Sequence, residues 1–132
     1  MRLAALALLT LAPLAVSASA QSSPFRPVPM PALTIALQNY SYSPNPIVLQ
    51  AGQPVRLQFV NRGGKGHDFT AREFFAVSRI VEGREHVRGG EIEVGPGQSV
   101  TVMLIPARGA YRAHCGHPFH KMLGMTANIV VR

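Results

Sequence analysis

Val55, Leu57 and Phe59 of "VRLQFVN" fall on one side of an extended chain, and Arg56, Gln58 and Val60 fall on the other. A period of two is the signature of a half-buried strand. The same alternation recurs along most of the chain. "LTIALQN" from Leu33 and "IVLQ" from Ile47 come before it, separated by the turn signals "SPNP" and "AGQP". "HDFT" from His67, "EIEV", "SVTVMLI", "GAYRAHC" and "GMTANIVV" come after it, with "GPGQ" reading as a hairpin turn between the second and third of these. "AREFFAVSRI" reads as a short helical turn. About eight short strands, many turns and no long amphipathic helix predict an all-β fold, a β-sandwich or barrel. No internal repeat is present.

The N-terminus has a different character. "MRLAALALLTLAPLAVSASA" begins with Arg2, continues with an apolar run to Val16 and ends in Ala18-Ser19-Ala20. A basic start, a short apolar stretch and an A-x-A site describe a secretory signal peptide over residues 1–20. The run is too short, and too interrupted by Thr10 and Pro13, for a membrane span. Residues 21–32, opening "QSSPFRPVPMP", carry no hydrophobic period and read as a proline-rich leader. Residues 33–132 form one domain. The expectation is an exported protein, periplasmic or secreted, soluble after cleavage, with no stable membrane insertion and a monomeric state.

One of the thirteen Lys and Arg residues lies in the signal, so the rest carries twelve against six acids, a net +6. Nucleic acid is not expected as a partner, because the chain is exported and its basic residues are scattered. An acidic protein partner, or simple solubility, accounts for the charge.

Residues 114–125, "HCGHPFHKMLGM", hold three histidines, two methionines and the only cysteine of the chain. Exported domains use cysteines in pairs, and Cys115 has no partner for an internal disulfide. Its neighbours point to metal binding. Cys115 ends one strand, Met125 begins the next, and Cys115 and His120 can be up to roughly 17 Å apart if extended. They can share an ion only if the segment doubles back, and Gly116 and Pro118 supply turn chemistry there. His67, delivered to a strand start by "RGGKG", is the candidate from elsewhere in the sheet. Two imidazoles, a thiolate and a thioether suit copper in both oxidation states, and His₂Cys with a weak axial Met is the electron-transfer arrangement. Zinc does not ordinarily take a thioether, and calcium and magnesium need oxygen donors.

On these residues the chain resembles the cupredoxins, particularly plastocyanin- and pseudoazurin-like proteins, from about Leu33 to Val131. "YSPNPIVLQAGQPVRLQFVN" followed by "GHDF" is similar to the family's first half. "GAYRAHC", His120 and "GM", spaced C-x4-H-x4-M, are similar to its closing half. The resemblance implies a Greek-key fold and a type 1 (blue) copper site of His67, Cys115, His120 and Met125, one copper per chain. It favours His120 over His117 by spacing, which leaves His117 beside the site as the alternative ligand. Two departures stand out. Phe119 occupies a position where the family often has glycine. Asp68 follows His67 where asparagine is common, and its side chain could accept a hydrogen bond from the cysteine-bearing loop.

The remaining candidates have plainer readings. His114 faces away from Cys115 by strand alternation, His86 is exposed, Met103 belongs to the core, and Met122 and Tyr111 pack around the loop. The function expected is one-electron transport between copper(II) and copper(I) with a redox partner protein, without enzymatic activity. The alternative is a copper chaperone or copper-homeostasis protein, in which His114, His117 and Met122 assist transfer of the ion.

Overall fold

A computed structural model of the chain describes residues 29–132. The signal-peptide reading and residues 21–28 of the leader lie outside the described residues. Ten strands build two five-stranded sheets. The strands are β1 (Ala32–Gln38), β2 (Ser41–Ser43), β3 (Ile47–Leu49), β4 (Val55–Asn61), β5 (His67–Thr70), β6 (Arg79–Glu82), β7 (Glu91–Val94), β8 (Ser99–Ile105), β9 (Gly109–His114) and β10 (Thr126–Val131). One sheet runs β2-β1-β4-β8-β6 and the other β3-β10-β9-β5-β7. A short helix, α1 (Arg72–Val77), and a 3-10 turn (Arg84–His86) lie in the connections around β6.

The alternation read in β4 is its packing. Val55, Leu57 and Phe59 are buried, and Arg56 and Gln58 face solvent. Side chains from the two sheets meet in one core that includes Ile35, Leu57, Phe59, Phe69, Ile92, Val94 and Ile129. Phe69 holds a central place in it. Its ring lies 4.9 Å from that of Phe59, 5.3 Å from Tyr42 and 6.2 Å from Phe75. It therefore joins the first sheet, the second sheet and α1, and such aromatic contacts add to simple area burial.

The fold departs from the sequence reading in three places. Two strands were not legible, β2 "SYS" and β6 "RIVE", and they are the outermost strands of the first sheet. Each buries a single apolar side chain, Tyr42 and Ile80, so neither carries a readable period. "EIEV" and "SVTVMLI" do not form a hairpin. β7 pairs with β5, whereas β8 pairs with β4 and β6, and "GPGQ" carries the chain from one sheet to the other. A tight turn looks the same in sequence whether its strands pair or cross the sandwich. Met122 does not pack around the loop; it is 84% exposed. Met103 is buried, as its place in "VTVML" implied.

Truncating Phe69 to alanine should cost about 3–5 kcal/mol, the range for a large aromatic removed from a well-packed core. Urea unfolding of Phe69→Ala beside the parent checks this through the midpoint, at unchanged slope. A loss below about 1 kcal/mol would contradict the central position given to this ring.

Candidate metal centre

Neighbouring strands of the second sheet bring the candidate residues to one end of the sandwich. His67 opens β5, Cys115 directly follows β9, and Met125 directly precedes β10. β10 lies beside β9, and β9 beside β5, where Thr70 pairs with His114. The segment after Cys115 turns back on itself, as a shared site requires. The N–H of His120 donates to the carbonyl of His117 at 3.2 Å, and that of Met125 to the carbonyl of His120 at 3.0 Å. The N–H of Cys115 donates to the carbonyl of Met125 at 3.1 Å, closing the loop at its base.

The result is a cluster of three donors, from His67, Cys115 and His120, all within 4.8 Å of one another. His67 Nδ1 and His120 Nδ1 face each other at 3.2 Å, and His120 Nδ1 lies 3.3 Å from Cys115 Sγ. Met125 is fully buried at the loop's return, with its backbone fixed by the bonds to Cys115 and His120. His117 stands outside the cluster. Its ring stacks on that of His120, with centroids 5.4 Å apart and planes 13° from parallel. Its Nε2 pairs with Glu93 at 2.9 Å. His120 is itself only 8% exposed, covered by the stacked His117 and by the edge of Tyr40 at 5.2 Å.

Asp68 joins the two segments that carry His67 and Cys115. Its carboxylate accepts the N–H of Gly116 at 2.7 and 2.9 Å and the Thr70 hydroxyl at 2.7 Å, and the group is buried. The Asp68 amide N–H in turn approaches Cys115 Sγ at 3.5 Å, and Tyr42 donates its hydroxyl to the Asp68 carbonyl. Asn61 orders the approach to His67. Its amide donates to the carbonyls of Lys65 and Val94 at 2.8 and 2.9 Å, and its oxygen accepts the N–H of Gly63 at 2.8 Å. Gly63 must be small, because an added Cβ would stand 3.0 Å from His67 Nε2.

Sequence reading missed Asn61, Tyr40 and Glu93. Asn61 had a signal: it falls at an inward position of the β4 alternation, where a polar residue needs a partner. Tyr40 and Glu93 had none, since both reach the site from other loops or strands. Phe119 holds a backbone conformation that glycine would adopt without strain. Its φ of 67° lies in the left-handed region. Glycine enters that region freely, whereas a side chain there costs about 1–2 kcal/mol.

The surroundings favour the neutral forms of Cys115 and His67. Burial pushes the Cys115 thiol up, against the amides of Asp68 and His117, which favour the thiolate. Burial, then the neighbouring His120 and His117, hold His67 below the usual imidazole range. The donor set of two nitrogens and a thiol sulfur fits a soft or borderline ion rather than calcium or magnesium.

A family model for the cupredoxin-like domain matches residues 3–131. The chain belongs to the cupredoxin-like family. Among solved structures it is similar to sodium-dithionite-reduced auracyanin from the photosynthetic bacterium Roseiflexus castenholzii, at 22% identity and a TM-score of 0.58. That match covers 76% of this chain and 96% of the other. Auracyanin B matches at 20% identity and a TM-score of 0.56, over 81% and 92% of the two chains. A multicopper oxidase from Campylobacter jejuni, described as a metallo-oxidase, matches at 14% identity and a TM-score of 0.58. There the match covers 83% of this chain but 32% of the oxidase. At these identities the likeness establishes the cupredoxin fold. No curated protein matches the chain in sequence. Among the described residues no helix is long and apolar enough to cross a membrane.

The lowered His67 pKa sets a pH dependence for the metal-free protein. The folded state prefers neutral His67, whereas the unfolded chain protonates it near the usual value of about 6.5. Its stabilising contribution is therefore present above that value and is lost as pH falls through the lower folded pKa. Thermal unfolding between pH 7.5 and 5 should show the midpoint falling with acid, with a shallower fall in His67→Gln. Equal slopes in the two proteins would contradict the assignment.

Proposed function

We propose that the chain is an exported, mononuclear type 1 copper protein that carries single electrons. The observation that carries this reading is the convergence of His67 Nδ1, Cys115 Sγ and His120 Nδ1 on one buried point, with Met125 lodged at the loop's return. These residues would hold one copper ion, with Met125 as the weak fourth donor. When bound, copper supplies a one-electron change between its cupric and cuprous states. The protein's part is to hold its donors still. Strand ends, the Gly116–Asp68 bonds and the Asn61 bonds fix both ligand segments before any ion is present. Little then moves when the charge changes.

His120 is the natural exit for an electron, because the loop that carries it also carries exposed apolar side chains. Phe119, Met122 and Leu123 are exposed around it, with Phe119 at 72%. The net positive charge suits an acidic redox partner, met in fast and salt-sensitive encounters. Four such donors would leave no open position for a substrate, which supports a carrier rather than an enzyme. The oxidase neighbours are similar over only 31–41% of their own length. The copper-handling reading has one observation in its favour, the exposure of Met122 on the ligand loop. Reversible voltammetry separates the two, since a carrier keeps its copper through repeated cycles.

Copper(II) titration of residues 21–132 should give an intense thiolate-to-copper absorption at one ion per chain, absent in Cys115→Ser. Weak absorption that survives the substitution would end the reading. Asp68→Asn should keep an acceptor for the Gly116 N–H while removing a negative charge 3.7 Å from Cys115 Sγ. The reduced state should gain about 1–3 kcal/mol for an effective dielectric near 20. The potential therefore rises, and voltammetry measures by how much; an unchanged value would refute the electrostatic role given to Asp68.

A further inference from the structure

A second group of donors stands beside the first. Asp68, Glu93 and His117 bring their ligand atoms within 4.8 Å of one another, outside the His67–Cys115–His120 cluster. They come from three elements: β5, β7 and the loop after β9. We propose that they form a second site, for a borderline divalent cation of the zinc type, on the flank of the first.

Several observations lead there. Asp68 and Glu93 are direct cross-strand partners in the β5–β7 ladder. Like charges placed opposite one another destabilise a strand pair. This chain has thirteen Lys and Arg residues, yet among the described residues none of them forms an ion pair with either acid. Among the described residues the only counter-group is His117, whose Nε2 lies 2.9 and 3.1 Å from the two Glu93 oxygens and 3.8 Å from Asp68 Oδ2. Donors bound at about 2.0–2.2 Å around a tetrahedral ion stand about 3.4 Å apart. The separations from His117 bracket that figure, and all three donors lie within 4.8 Å of one another.

The carboxylate of Asp68 is also prepared for this role. Oδ1 accepts from both Gly116 and Thr70, whereas Oδ2, the oxygen facing His117, accepts the Gly116 N–H and a long contact from the Cys115 thiol at 3.7 Å, a proton that a metal-bound thiolate no longer carries. Two glycines leave the space. A Cβ at Gly66 would lie 3.3 Å from Glu93 Oε1 and 3.4 Å from His117 Cε1, and one at Gly116 would lie 3.2 Å from Asp68 Oδ2. Glu93 is 54% exposed on its side chain and His117 32%, so an ion reaches the site from solvent and keeps water in its remaining positions. One imidazole nitrogen with carboxylate oxygens is a donor set that zinc accepts and that magnesium and calcium do not seek.

Binding at this site stands on its own geometry. Its consequence rests on the copper reading above. A cation on Asp68 neutralises the charge nearest the Cys115 sulfur and fixes the ring stacked on His120. Zinc would therefore favour the reduced state of the first site, linking the carrier's potential to the supply of a second metal.

The test is zinc titration of the copper-loaded protein by calorimetry, with metal analysis after dialysis. One zinc per chain should bind in addition to one copper, and Glu93→Gln should weaken it at least tenfold while leaving the thiolate-to-copper absorption in place. His117→Ala should weaken it likewise. Cys115→Ser, which removes the thiolate of the first cluster, should still bind zinc in a Glu93-dependent way, so the second site is tested even if the copper reading fails. No zinc beyond the first cluster, or zinc binding indifferent to both Glu93→Gln and His117→Ala, overturns the proposal. Zinc that binds without moving the copper potential overturns the linkage alone.

Discussion

The centre depends on one pair of hydrogen bonds. The N–H of Gly116 reaches the buried carboxylate of Asp68, and through it the segment that carries Cys115 is held against the segment that carries His67. The sheet alone would leave this junction loose, because β5 and β9 share only the Thr70–His114 pairing. A carboxylate is a stronger acceptor than an amide, and burial strengthens the bond further. Thr70 and the Asp68 main chain extend the clamp: one hydroxyl steadies the carboxylate, and one amide aims at the Cys115 sulfur. Side chain and backbone of a single residue therefore serve both the frame and the donors.

Much of this arrangement is legible in the sequence because it is written at strand ends. A period-two run predicts a strand, and the residue at its end sits at the rim of the sandwich. His67, Cys115 and Met125 are three such residues, and the fold brings them to the same rim. Asp68 was legible for a related reason, since it follows a candidate donor and its side chain can reach across to the next segment. Outer strands were illegible. "SYS" and "RIVE" each bury one side chain, and one apolar residue has no period. The partners of β7 and β8 were illegible because a turn sequence fixes a local bend, not the sheet that receives the strand.

The surroundings of the ligands follow from surfaces rather than from motifs. Glu93 becomes a neighbour of Asp68 and His117 through the β5–β7 register, which neither strand announces. Tyr40, also in the left-handed region with a φ of 60°, arrives from the β1–β2 turn and closes over His120. Met122 and Phe119 face solvent because the turns that return the loop to Met125 leave no interior on that side. A ligand loop so short must place its intervening side chains outward. Its apolar rim is thus a by-product of bringing His120 and Met125 back to one sulfur.

The distance along the chain between the clamp's two halves has a kinetic side. Asp68 and Gly116 are 48 residues apart. β1 pairs with β4, and β3 with β10, by connections that skip neighbouring strands. Topologies of this kind fold slowly, because long loops must close before their contacts repay the lost entropy. Cys115 is buried in the folded chain, and it is open to solvent until the segment that follows β9 docks. In an oxidising compartment, the speed of the slowest non-local pairing decides how many chains reach the native state with Cys115 still reduced.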